Sequence, residues 1–293
     1  MIPKEIIKKI KRVHIKSSRT VNTLMAGQFK SVFRGSGIEF EEVREYSPGD
    51  EIKSIDWKVS ARLGRPFIKL FREERESIVM LLIDMSASQG FCTFFGQKIE
   101  KAAEAASVLA FSAVKNNDKV GAVFFTDRVE KYIPPKKGSG HIWRLIKEIF
   151  TFVPRGKGTS ISKALDFIGR VSRKKTIMFI ISDFLSDDDY VKPLKTAGQR
   201  HELIAVVLYD KGDFKLPEKG LVPITCFETG NTILLDAGNK KTRQAYGVKK
   251  RRLYNAILEN LKKSSVDFMA LGTHMSVADV LTRYFRNREK RIR

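Results

Sequence analysis

The chain has 293 residues, 42% hydrophobic and 30% charged, enough apolar surface for one large domain or two small ones. Its apolar stretches, such as Val79 to Ile83 and Ile177 to Ile181, are strand-sized and fall short of the roughly 20 residues of a membrane span. No apolar leader follows Met1, and Cys92 and Cys226 alone make no disulfide framework, so a cytoplasmic protein is expected. The net charge of +22 sits at the ends: residues 1–35 hold nine Lys or Arg against Glu5, and residues 240–293 hold fifteen against four acids. Basic ends suit nucleic acid, an anionic membrane surface or an acidic protein face, and equally a solvated surface.

In chain order, Ile2, Ile6, Ile10 and Val13 stand at helical spacing among basic residues. This predicts a short amphipathic helix docked on its own domain, with peripheral membrane contact as the alternative. Strand-like runs follow at Ile38 to Tyr46 and Phe67 to Arg72. Between them, Ser47-Pro48-Gly49-Asp50 predicts a type II turn, since proline presets its φ and glycine accepts a positive one. From residue 78 strands and helices alternate. Ser77 to Asp84 is an apolar strand, 97–115 a helix ended by Asn116-Asn117-Asp118, and Val120 to Thr126 a buried strand. Val129 to Ile133 is expected to pair beside it before Pro134-Pro135. Helices at 141–151 and 160–172 precede the strand Thr176 to Ser182, and a helix at 188–199 precedes Leu203 to Tyr209. Strands at Thr225 to Glu228 and Thr232 to Asp236 and a basic helix at 241–263 follow. The pattern predicts an α/β fold: a mostly parallel sheet with helices on both faces, preceded by a small β-rich segment.

In such sheets ligands bind at the carboxyl ends of the strands, near a topological switch point. The loop after the first core strand reads Asp84-Met85-Ser86-Ala87-Ser88, an acid followed by hydroxyls at alternate positions. Gly156-Lys157-Gly158-Thr159 brings another hydroxyl to a helix start, and the strand Ile177 to Ser182 delivers Asp183. Each alone is ordinary turn or cap chemistry. Converging on one sheet edge, they supply two carboxylates and three hydroxyls, hard oxygen ligands suited to Mg²⁺ or Mn²⁺.

In this order, Asp84, Ser86, Ser88, Thr159 and Asp183 resemble the metal-ion-dependent adhesion site of von Willebrand factor A domains, and Gly158-Thr159-Ser160-Ile161 resembles that family's second loop. The resemblance implies that Ser86, Ser88 and Thr159 lie near the metal, with Asp84 and Asp183 acting largely through water or hydrogen bonds. A longer block resembles the bacterial domain-of-unknown-function family 58: Gly35 to Phe40, Arg44 to Asp50, Ile55-Asp56-Trp57, Ala61-Arg62 and Glu73-Glu74-Arg75, with Tyr284-Phe285-Arg286 near the end. Many members carry transmembrane helices before this block; this chain resembles the short, soluble form. Members are commonly encoded beside MoxR-type AAA+ ATPases, which implies an adaptor or co-chaperone role.

The expected organisation is a basic arm at 1–35, a β-rich segment at 36–76, a von Willebrand factor A-like domain at 77–275 and a basic C-terminal helix at 276–293. Arg44, Asp50, Asp56 and Arg62 are expected in ion pairs or turns, and Trp57 as a partly buried anchor. The function expected is metal-dependent capture of a partner's Asp or Glu carboxylate, without catalysis. A nucleic-acid or membrane-surface binder and a metal-dependent hydrolase are the alternatives. Against a hydrolase, Ser86 stands where a haloacid-dehalogenase-type phosphatase needs its second Asp, the glycine loop lacks P-loop spacing, and the four histidines are scattered. The acidic run Asp187-Asp188-Asp189 is expected to cap a helix rather than extend the metal site.

Overall fold

The computed structural model describes residues 7, 11–13, 17, 21, 39–72, 77–90, 92–93, 96–218, 220–225 and 230–292. By their contacts the residues form two units, 33–77 and 1–32 with 78–293. Of the N-terminal helix expected at 2–13, residues 2–6 and 8–10 lie outside the described set. Val13, Ser17 and Val21 lie within it, and the last two are buried.

In the smaller unit, β1 (Glu39–Glu45) pairs antiparallel with β2 (Phe67–Arg72). The predicted turn is present: Gly49 has φ 110°, and Asp50 N donates to Ser47 O at 3.1 Å. Arg44 clamps Asp50 with two hydrogen bonds of 2.8 and 2.7 Å, which holds the turn against the strand. Helix α1 (Trp57–Leu63) starts at Asp56, whose carboxylate accepts from Lys58 N and Val59 N, and stops at Gly64 in the left-handed region. Trp57 is not the anchor expected. It stands 68% exposed in the first turn, while Ser60, whose Oγ accepts from Phe67 N at 2.8 Å, fixes the helix to β2.

The larger unit is built on a six-stranded sheet. Strand β3 (Ile78–Asp84) is buried from Val79 onward, as its unbroken apolar run requires. A two-residue ladder, β4 (Cys92–Thr93) with β5 (Gly96–Gln97), leads into α2 (Lys98–Lys115). Asn117, with φ 65°, turns the chain out of that helix into β6 (Lys119–Phe125). Strand β7 (Val129–Lys136) runs on through Pro134-Pro135, beyond the expected end. It can do so because it is the sheet's edge and bulges there, a place where a residue without an N–H is tolerated. Gly121 sits opposite the bulge, where a Cβ would meet Ile133 O at 2.8 Å and Pro135 N at 2.9 Å.

Helices α3 (Ser139–Thr151) and α4 (Ile161–Val171) precede β8 (Ile177–Ser182), every residue of which is buried. Then come α5 (Val191–Arg200), β9 (Glu202–Tyr209) and the hairpin β10 (Leu221–Thr225) with β11 (Thr232–Asp236). The first hairpin strand lies earlier than the Thr225 to Glu228 expected, and 226–229 fall outside the described residues. Helix α6 (Lys240–Lys263), an unexpected strand β12 (Asp267–Gly272) and α7 (Val277–Ile292) complete the unit. No helix among the described residues is long and apolar enough to cross a membrane.

The sheet order is β12-β9-β8-β3-β6-β7, parallel except for β7. Side chains alternate across it. Met80, Leu82, Met178, Ile180, Ala205 and Val207 face one core, closed by apolar stripes of α4, α5 and α6. Helix α2 contacts α3 and α7. The chain leaves β3 for β6 on one side and returns to β8 on the other. The switch point therefore lies between the carboxyl ends of β3 and β8.

Candidate metal centre

Asp84 closes β3 at that switch point and is fully buried. Its Oδ1 accepts from Ser86 N at 2.8 Å, an Asx turn that swings the chain off the strand and brings Ser86 Oγ and Ser88 Oγ to 3.0 Å of each other. Its Oδ2 accepts from Ser182 Oγ at 2.6 Å, so the ends of β3 and β8 are joined by side chains as well as by the ladder.

The glycine-rich loop is drawn to the same place by its backbone. Ala87 N donates to Lys157 O at 3.0 Å, and Ser160 N to Thr126 O at 2.8 Å. Glu130 receives Gly156 N at 2.7 Å and Arg155 N at 3.1 Å, which holds the loop's near side. Ser160, not Thr159, is the N-cap of α4. Thr159 lies one residue before that cap, 8% exposed, and its carbonyl accepts from Ser186 Oγ at 2.6 Å. That bond ties the second loop to the third.

Asp183 follows β8 and is 3% exposed. Its Oδ1 accepts from Leu185 N at 3.3 Å and its Oδ2 from Lys98 Nζ at 3.1 Å. Phe184 takes a left-handed φ of 57°, a conformation that costs a side-chain-bearing residue roughly 1–2 kcal/mol. Burial of its ring against Tyr190, with centroids 5.9 Å apart, offsets that cost. The acidic run beyond serves two helices: Asp189 accepts from Val191 N at the start of α5, and Asp188 crosses to Ser162 N and Oγ in the first turn of α4.

The five residues singled out in the sequence thus come from three loops stitched to one another. Sequence reasoning passed over Lys98, which is 2% exposed and also reaches Asp213 Oδ2 at 3.1 Å. Burial disfavours its ammonium, but the charges of Asp183 and Asp213 outweigh burial and hold its pKa above the usual lysine value. Asp84 is pushed up to about 7, by burial first and by the charge of Asp183 second. A divalent cation beside this buried carboxyl would favour its ionised form. Among the described residues no three His, Cys, Asp or Glu cluster, so an ion here would fill its shell with hydroxyls and water. The donor set fits a hard ion on those terms.

Beside the loops opens a groove of about 1640 Å³, walled by Leu185, Leu216 and Val222 and, from α6, by Leu253 and Ile257.

A family model described as "Protein of unknown function DUF58" matches residues 42–255. The chain belongs to this family. Relatives include an uncharacterized protein of Mycobacterium tuberculosis, 29% identical over 75% of this DUF58 chain and 70% of its own length. YeaD of Bacillus subtilis is 26% identical over 50% of this chain and 34% of its own. Similar solved structures include BatB from Bacteroides thetaiotaomicron, 16% identical, covering 73% of this chain and 99% of that one with a TM-score of 0.46. The SpRpn10 VWA domain is 12% identical, covering 71% and 94% with a TM-score of 0.39.

Proposed function

We propose that this DUF58 chain is a non-catalytic, divalent-metal-dependent protein-binding module, an adaptor or co-chaperone for a MoxR-type AAA+ ATPase. The observation that supports it best is the stitching of three strand-end loops around Asp84, Ser86, Ser88, Thr159 and Asp183. In this reading the hydroxyls and carboxylates hold Mg²⁺ or Mn²⁺ with a coordination position left for an outside ligand. A carboxylate from the partner takes that position, and no bond need break. The groove beside the centre then receives the residues flanking that acid. Helix α6, which walls the groove and places Lys250 in it, carries nine Lys or Arg against Glu259, a charge that would draw an acidic partner towards this side.

Titration calorimetry with Mn²⁺ tests the centre. Asp84→Ala is expected to abolish binding with an unchanged circular dichroism spectrum, and Thr159→Ala to weaken it. Unchanged binding in Asp84→Ala would mean that the ion sits elsewhere. A pull-down in Mg²⁺ against EDTA, scored for an ATPase, tests the partner. Capture that is indifferent to EDTA and lost in salt would favour the basic surface, with nucleic acid or anionic lipid as its ligand.

A further inference from the structure

Lys98 is the first residue of α2, where the helix dipole disfavours a positive charge, and it is almost wholly buried. Two carboxylates hold it there, and they come from different places. Asp183 opens the loop after β8, whereas Asp213 belongs to the 3-10 turn Lys211–Phe214 after β9. That turn is itself rigid: Asp210 N donates to Asp213 Oδ2 at 2.8 Å, and Gly212 N to Asp210 Oδ1 at 2.6 Å. Lys98 therefore bridges the centre to a fixed acid outside it.

We infer that Lys98 is the centre's resident counter-cation, competing with the divalent ion for Asp183, and that Asp213 sets the strength of that competition by drawing the ammonium away. The inference rests on the metal reading above. One ammonium divides its field between its two partners. Without Lys98, Asp183 meets an incoming ion unneutralised. Without the charge of Asp213, the ammonium turns wholly to Asp183 and shields it. The competition has a use, because an ion only partly neutralised by its own site keeps more positive charge for an external carboxylate. Lys98 thus exchanges ion affinity for ligand affinity.

Mn²⁺ affinity, measured by calorimetry on the full chain, gives the test. Lys98→Met is expected to bind about tenfold tighter than wild type, the order set by removing one unit charge a few ångströms from the ion. Asp213→Asn is expected to bind several-fold more weakly. In the double variant Asp213→Asn should have little further effect, because its influence runs through Lys98. A purely structural bridge would lower affinity in both single variants, and that result overturns the inference. So does equal affinity in wild type and Lys98→Met, which leaves the metal centre standing. Should Lys98→Met not fold with the buried Asp183 and the half-buried Asp213 uncompensated, the double variant against Asp213→Asn carries the comparison, with at least tenfold tighter binding expected. Adding Asp84→Ala to the double variant separates the two readings: Mn²⁺ binding that survives it places the ion elsewhere and sinks the metal reading itself.

Discussion

Gly156 shows how little room the second loop has. A Cβ there would stand 2.3 Å from Thr126 Oγ1 and 1.9 Å from Asp127 Oδ1. Asp127 can swing aside, but Thr126 is fully buried and β-branched, and its hydroxyl lies 2.9 Å from Glu130 Oε1. Gly156→Ala is therefore expected to cost about 1–3 kcal/mol, the usual range for overpacking. It should also weaken Mn²⁺ binding by displacing Thr159. Urea midpoints and calorimetry on one preparation check both, and a variant with wild-type values would show that the loop yields freely. The oxygen-bearing residues of the centre were legible in the sequence because a strand-end acid followed by alternating hydroxyls has a local signature. Lys98 was not. A lysine in the first turn of an amphipathic helix reads as a solvated charge, and only the fold brings it to Asp183, 85 positions away. Trp57 misled in the opposite sense, since its size predicts burial and its place in the first turn of α1 denies it.

Asp188 shows one loop bracing another element. Burial would raise its pKa, but hydrogen bonds from Ser162, Ser186 and Ser160 outweigh burial and hold it below the ordinary carboxylate value. The sign follows from linkage: a depressed carboxyl stabilises the fold fully above its unfolded pKa of about 3.9, and the contribution fades as pH falls through the lower folded value. Asp188→Ala is expected to cost about 1 kcal/mol at pH 7, as for loss of a helix cap. The difference from wild type in urea midpoint should shrink towards pH 3, and a gap independent of pH would exclude this account. Most strands and helices could be read from apolar runs and 3.6-residue periodicity. Strand β12 escaped because it is an edge strand, half buried at Asp267, Phe268 and Ala270, and its apolar run from Phe268 to Leu271 is shorter than those that mark β3 and β8. Strand β7 outran its prolines because an edge strand can spare their hydrogen bonds.

The net charge of +22 acts over a longer range than any of these contacts. It should speed the approach of an acidic partner at low salt and matter little once screening lengths fall to a few ångströms, at about 1 M. Association measured by surface plasmon resonance is expected to slow between 50 mM and 500 mM NaCl while its dependence on Mg²⁺ persists. Loss of both together would show that charge alone holds the partner. The α/β alternation was visible in the sequence, but not which strands are neighbours, because adjacency joins segments far apart in the chain. Asp84 and Ser182 touch across 98 positions. On the ribosome the first loop emerges while its partner strand is still unsynthesised, and no shorter product can assemble the centre. On the proposed reading, an ion bound there would recognise only the finished sheet. It would give no help to the nascent chain and would prolong the life of the folded one.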